Sequence, residues 1–239
     1  LSRPDHADLS AADLVSLVVD DEWTSRENRL RDRRLKAAKF KDKSACVENI
    51  DYRPTRGLNK SAILELAQCR WIDNHQNLAV VCPTGAGKSY LAQAFGNQAC
   101  RLGYSVLYVR VPKLFEQIGL ARADGSYPQF MRRLSRTRLI ILDDLGLSVL
   151  QDQERRDLLE IIEERHKSGS TAITSQLPIE SWHDCFGGGI VADAICDRLL
   201  HNCLRTPLLG DTLRKEDIIR KGDEQPPIQA EEAVKPTAA

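Results

Sequence analysis

Residues 82–89 read CPTGAGKS, a glycine-rich stretch that ends in a lysine and a hydroxyl residue. An aliphatic run at 78–81 precedes it and a helix-compatible stretch from Tyr90 follows. Strand, glycine loop and helix is the setting in which backbone N–H groups wrap a phosphate chain, with the helix dipole behind them. Pro83, Thr84, Gly85, Ala86 and Gly87 form the bend, and the amides of the last three are aimed at a β-phosphate. Lys88 supplies a point charge for the β- and γ-phosphates, Ser89 a hydroxyl for Mg²⁺, and Tyr90 opens the helix bordering the same cradle. The chemistry these residues suit is capture of a nucleoside triphosphate such as ATP.

Cys82 stands where the G-x-x-x-x-G-K-[ST] pattern begins with glycine. A side chain there costs about 1–2 kcal/mol if the position needs a positive φ, and close to nothing if it merely ends the strand. A second aliphatic run, LIILDD at 139–144, ends in two acids some 55 positions beyond Lys88. With one strand intervening in sequence, that spacing is expected to put it beside the cradle strand. Asp143 is then the Mg²⁺-side carboxylate, and Asp144 takes the place of the base that orients an attacking water. Aspartate is one methylene shorter than the glutamate usual there, so slow turnover is expected.

Three further groups are candidates. The run at 171–175 delivers Ser175 and Gln176 to a strand's C-terminal end, where open α/β sheets bind ligands; either could touch the γ-phosphate or the water, although such residues also commonly end strands. Arg198 lies beside the apolar stripe of Ile195, Leu199 and Cys203. It either meets water or reaches a neighbouring subunit's γ-phosphate, which would make the protein a homo-oligomer with head-to-tail contacts. Arg214, in GDTLRK, is a second candidate phosphate sensor.

Positioning such groups takes a sheet. Short runs at 78–82, 105–109, 139–142, 171–175 and 203–209 have strand length, and helix-length segments separate them. That alternation predicts an α/β fold with a parallel sheet and right-handed crossovers. Ahead of it, Ser10 to Asp13 spells a capping box, and Leu14, Leu17, Val18, Trp23, Leu30 and Ala37 recur at helical spacings. An all-helical region over 1–50 is therefore expected, then an ATP-binding unit over 51–220. The Pro-, Ala- and Glu-rich stretch 221–239 is expected to be a disordered tail.

With 239 residues, 42% apolar and 28% charged, the chain has room for one full domain with an appendage or two small domains, and its composition speaks against wholesale disorder, collagen and coiled-coil arrays. Aliphatic runs fall far short of the ~20 residues a membrane span needs. The 34 basic and 34 acidic side chains cancel, so attraction to an acidic partner must come from local patches. Residues 26–43 carry +6, and Arg132, Arg133, Arg136 and Arg138 form a second cluster. Such clusters are often only solvated helix faces. If they bind double-stranded DNA, the binding should be backbone-led, with a log–log salt slope near −5 for about six neutralised phosphates. Seven cysteines without a C-x-x-C pair argue against a zinc knuckle or a stapled secreted domain and suggest a reducing, cytoplasmic setting. The chain opens at Leu1 without an initiator methionine, so its natural start is expected to lie upstream.

CPTGAGKS, LIILDDLG, TSQLP, ADAICDRLLHN and GDTLRK, together with DEWTSRENRLRDRRL, resemble the IstB-like ATP-binding proteins over roughly residues 15–215. These are transposition helpers of bacterial insertion sequences, related to DnaC-type helicase loaders within the AAA+ ATPases. The resemblance implies an AAA+ core behind a small helical region, ATP hydrolysis with Mg²⁺, assembly on target DNA and cooperation with a cognate transposase. It also implies roles for Lys88, Ser89, Asp143, Asp144, Ser175 and Gln176, with Arg198 as finger and Arg214 as sensor. Two alternatives share the same core motifs: a replicative helicase loader, and a scaffold that holds ATP without turning it over.

Overall fold

The computed structural model describes residues 10–53 and 57–207. Arg214, the end of the fifth expected strand and the 221–239 stretch lie outside those residues. The chain begins with a long helix, α1 (Ala11–Ala38), whose capping box is formed as expected. Asp13 N–H donates to Ser10 Oγ at 3.2 Å, and Ser10 N–H donates back to Asp13 Oδ2 at 3.1 Å. Most of α1 stands clear of the rest, with Val15, Val18, Val19 and Trp23 all more than half exposed. At its C-terminal end Ala38 is buried, and the following residues Ala45, Val47 and Ile50 join the same apolar cluster as Trp71, Leu78 and Phe95. Packing is thus continuous across residue 50.

Two short helices, α2 (Lys60–Ala67) and α3 (Arg70–Asp73), lead into the sheet. From there strands and helices alternate: β1 (Asn77–Val81), α4 (Lys88–Arg101), β2 (Val106–Arg110), α5 (Val111–Ala123), α6 (Tyr127–Arg136), β3 (Leu139–Leu145), α7 (Asp152–Arg165) and β4 (Ser170–Ser175). The last described elements are α8 (Trp182–Cys185), α9 (Gly189–Leu200) and β5 (Cys203–Pro207). All neighbouring strands pair in parallel. Each face of the sheet has its own core, because side chains alternate along a strand. Leu78, Val80, Leu139 and Ile141 point to the α4 side, while Ala79, Ile140, Leu142 and Ile173 pack under α5, α7 and α9. Burial on both faces explains the near-continuous apolar runs that mark β1, β2 and β3 in the sequence.

The order across the sheet is β2-β3-β4-β1-β5. This corrects the expectation that the two-acid strand lies beside the cradle strand: β4 sits between them. The six residues of β4, STAITS, are all buried, and their small side chains suit the crowded centre, where helices cover both faces. Among the described residues no helix is long and apolar enough to cross a membrane. All seven cysteines are free thiols, and burial pushes those of Cys69 and Cys100 up to about 12.

Close approach of α4 to the sheet depends on Gly96. A Cβ there would lie 2.6 Å from Ile141 Cδ1 and 2.8 Å from Phe40 Cε1. Gly96→Ala gains about 1 kcal/mol of helix propensity but forces an overpacked contact that costs roughly 1–3 kcal/mol. A net loss of about 1 kcal/mol is expected, read as a lower urea midpoint at unchanged slope; a raised midpoint would show that the contact yields freely.

Candidate phosphate-binding site

The loop between β1 and α4 is shaped by two glycines. Gly85 and Gly87 have φ of 92° and 90°, and Gly87 occupies the N-cap position of α4. Side chains rarely tolerate that backbone region. The first N–H groups of a helix lack intrahelical partners, so this bend presents donors and a positive dipole end to an anion. Cys82 is buried at the end of β1, its φ is not positive, and its N–H donates to the Ser175 carbonyl at 3.2 Å. It therefore ends the strand as a core residue and incurs no left-handed cost.

Lys88 is buried and its Nζ donates to the Pro83 carbonyl at 3.3 Å, so the ammonium curls over the bend. Thr84 Oγ1 donates to Gln176 Oε1 at 2.6 Å, which ties the loop to the residue just beyond β4. Tyr90 turns elsewhere: its hydroxyl donates to the Cys46 carbonyl at 3.4 Å, linking α4 to the segment after α1. Ser175 is fully buried. Its hydroxyl donates to the Leu145 carbonyl at 2.9 Å and accepts from Leu177 N–H at 3.1 Å, so it clamps the ends of β3 and β4 together.

The loop helix and the acid strand meet across β4. Ser89 Oγ donates to Asp143 Oδ1 at 2.8 Å, and Asp143 is 2% exposed. Two more hydroxyls orient the same carboxylate: Thr174 Oγ1 on Oδ1, and Tyr108 OH on Oδ2 at 2.6 Å. Burial and that hydrogen bond raise the Tyr108 phenol pKa, so it remains a donor. Asp144 has φ 64°, an uncommon region for a residue with a side chain. Its N–H donates to Thr174 Oγ1 at 3.0 Å, where the β3–β4 register shifts between Leu142 and Leu145. One threonine thus fixes both acids. The Asp144 carboxylate accepts from Arg110 Nε at 2.8 Å.

Thr174, Tyr108 and Arg110 are absent from the sequence-derived candidates. Their signal lies in strand adjacency: Arg110 pairs in register with Asp143, and Tyr108 stands two residues earlier on the same face of β2. Arg198 is not brought to this site. Its guanidinium pairs with Glu163 at 2.9 Å and donates to the Ala194 carbonyl at 3.1 Å. Asn77, at the start of β1, donates to the carbonyls of Arg198 and Leu199. The cradle begins at the other end of that strand, about 16 Å away.

For magnesium, the donor set is the Ser89 hydroxyl with the Asp143 carboxylate. Both are hard oxygen ligands, and Mg²⁺ is commonly held by one or two protein oxygens together with phosphates and waters. Among the described residues no group of three or more His, Cys, Asp or Glu is placed to hold a metal by itself, which fits that sparse mode and excludes none of it. Of the basic clusters, Arg132, Arg133 and Arg136 lie exposed on α6, while Arg138 pairs with Asp73 at 3.3 Å. In the α1 stretch, Arg26 and Arg29 pair with Glu22.

A family model described as IstB-like ATP binding protein matches residues 2–220. An insertion sequence ATP-binding protein of Sinorhizobium fredii is 46% identical over 215 residues, covering 90% of this chain and 87% of the relative. One from the insertion sequence IS21 of Pseudomonas aeruginosa is 26% identical over 231 residues, covering 95% and 87%. Among solved structures, the DnaC helicase loader superposes with a TM-score of 0.57 at 16% identity, over 69% of this chain and 96% of that one. AMPPCP-bound DnaA from Aquifex aeolicus gives 0.62 at 18%, over 78% of this chain but only 57% of its own. At those identities the likeness is one of fold.

Proposed function

Because this chain belongs to the IstB-like ATP-binding protein family, we propose that it binds ATP with Mg²⁺, hydrolyses it slowly, and uses the bound state to assemble on double-stranded DNA beside a cognate transposase. The observation that carries the reading is the 2.8 Å contact between Ser89 and Asp143, which joins the phosphate cradle to the acid strand in one constellation. The insertion-sequence names of its relatives favour a transposase over a helicase as the protein partner.

In this reading the amides of Gly85, Ala86 and Gly87 and the Lys88 ammonium hold the triphosphate, and Ser89 with Asp143 holds the metal. Magnesium, when bound, neutralises charge on the phosphate oxygens. Thr174 and Tyr108 keep Asp143 oriented; the latter contact is buried, so little reorganisation is needed as charge develops. Gln176, already bonded to Thr84, reports on the loop from the end of β4. Asp144 takes a proton from the attacking water, and its carboxylate is partly withheld by Arg110. Arg198 serves a neighbouring copy's site, because its own cradle is out of reach.

The test is phosphate release from ATP, with and without duplex DNA, by the wild type and Asp144→Asn. Loss of a positioned base is expected to lower the rate about 100-fold or more; equal rates above background would remove Asp144 from the base's role, and a wild-type rate at background would leave only the scaffold. In the same assay, mixing Lys88→Ala with Arg198→Ala chains should restore part of the activity, and no restoration would argue against a shared site.

Arg110→Ala is expected to raise DNA-free hydrolysis. The Arg110–Asp144 pair is partly exposed, with side chains 41% and 20% accessible, so it is worth no more than about 1 kcal/mol, and releasing it multiplies the free carboxylate by up to about fivefold. A fall in rate would mean that Arg110 positions Asp144 rather than restraining it.

A further inference from the structure

At the opposite end of the strands from the cradle, a cavity of about 330 Å³ opens between the start of β1, the α7–β4 turn and the end of α9. Six of its wall residues carry basic groups: His75, Arg165, His166, Lys167, Arg198 and His201. No carboxylate lines it among the described residues; the remainder is asparagine, threonine, glycine and two aliphatic side chains. Arg198 has its counter-charge in Glu163. Arg165 does not: it is 2% exposed, and its guanidinium donates only to neutral oxygens, including the carbonyls of Leu134, Thr137 and Ser170 at 2.6 Å each. Lys167 likewise forms no ion pair among the described residues. In addition, Nδ1 of His75 is a buried polar atom without a hydrogen-bond partner.

A buried cation without a counter-ion and an orphaned imidazole nitrogen are both costly on their own. Both residues line this one cavity, which gives them a common explanation. We propose that this cavity binds a small phosphate-bearing anion, at a site separate from the nucleotide cradle. Its volume lies at the lower end of the range for small-molecule pockets, roughly 300–1,000 Å³, enough for a short polyphosphate or the phosphate tail of a nucleotide. The recess favours a free anion over a DNA duplex, whose backbone phosphates stand outward and are met by exposed side chains.

The experiment is a calorimetric titration of sodium tripolyphosphate into the full chain carrying Lys88→Ala, which weakens the cradle about 100-fold, and the outcome is read from the response to Lys167→Ala, so it does not depend on the ATP reading. The buffer is held near about 0.15 M salt, where attraction between exposed charges is largely screened beyond ~8 Å. Saturable binding is expected, weakened roughly tenfold or more by adding Lys167→Ala or His75→Ala, since each removes one charge-assisted or hydrogen-bonding contact. Lys167 is exposed, so its replacement keeps the test informative should His75→Ala lose its fold by circular dichroism. Absence of heat, or heat unchanged by Lys167→Ala, would overturn the proposal. So would variants that lose duplex DNA binding while tripolyphosphate binding stays intact, which would assign the cavity to nucleic acid.

Discussion

Lys88→Ala is expected to lower affinity for ATP by about 100-fold while leaving the fold in place. The lysine is buried against the bend, with Nζ donating to the Pro83 carbonyl at 3.3 Å, so its ammonium already stands where a phosphate chain would meet the Gly85–Gly87 amides. Removing a charge-assisted contact to phosphate oxygens forfeits roughly 1.5–3 kcal/mol, and the upper end of that range corresponds to about two decades in Kd. The amides and the helix dipole remain, so weak residual binding should persist at millimolar nucleotide. Isothermal titration with a non-hydrolysable ATP analogue in the presence of Mg²⁺ checks this. A variant that binds as tightly as the wild type would remove the cradle from the nucleotide-binding account altogether, whatever its effect on hydrolysis.

The parts of this site that can be read from the sequence are those whose chemistry is local. CPTGAGKS carries its own turn, lysine and hydroxyl within eight residues, and LIILDD carries its strand and both acids. The strands β1, β2 and β3 are also legible, because burial on both faces leaves a run of apolar residues. What is not legible depends on strand order, since short-range periodicity contains no information about which strand lies next to which. Placing β4 between β1 and β3 is what brings the Thr174 hydroxyl to both Asp143 and Asp144. Pairing β2 with β3 is what brings Tyr108 and Arg110 to the same two acids. Ser175 and Gln176 show the same limit one residue apart: alternation along β4 turns the first into the sheet and leaves the second at the cradle. Cys82 departs from the motif in letters only, because its φ is not positive and, just past β1, its N–H still donates to the Ser175 carbonyl.

Arg165→Met is expected to cost about 3–5 kcal/mol of stability, the largest effect of any single replacement away from the phosphate site. Methionine fills much of the same volume, so the loss isolates the guanidinium. That group donates to the carbonyls of Leu134 and Thr137 at the end of α6, to Arg138 ahead of β3, and to Ser170 at the start of β4. It thereby fastens the entry points of two neighbouring strands. Without it at least three carbonyls lose a donor, those of Leu134 and Ser170 in buried contacts, at roughly 1–3 kcal/mol each before relaxation. Partly offsetting this, a buried charge without a counter-ion is itself unfavourable, and burial already lowers the Arg165 pKa to about 10. The net figure therefore sits below the sum of the lost bonds. Urea denaturation should show a large fall in midpoint at unchanged slope, against a change under about 0.5 kcal/mol for Arg132→Met on the exposed face of α6. Equal effects in the two variants would mean that the carbonyls find other donors, and that the strand entries are held by the sheet alone.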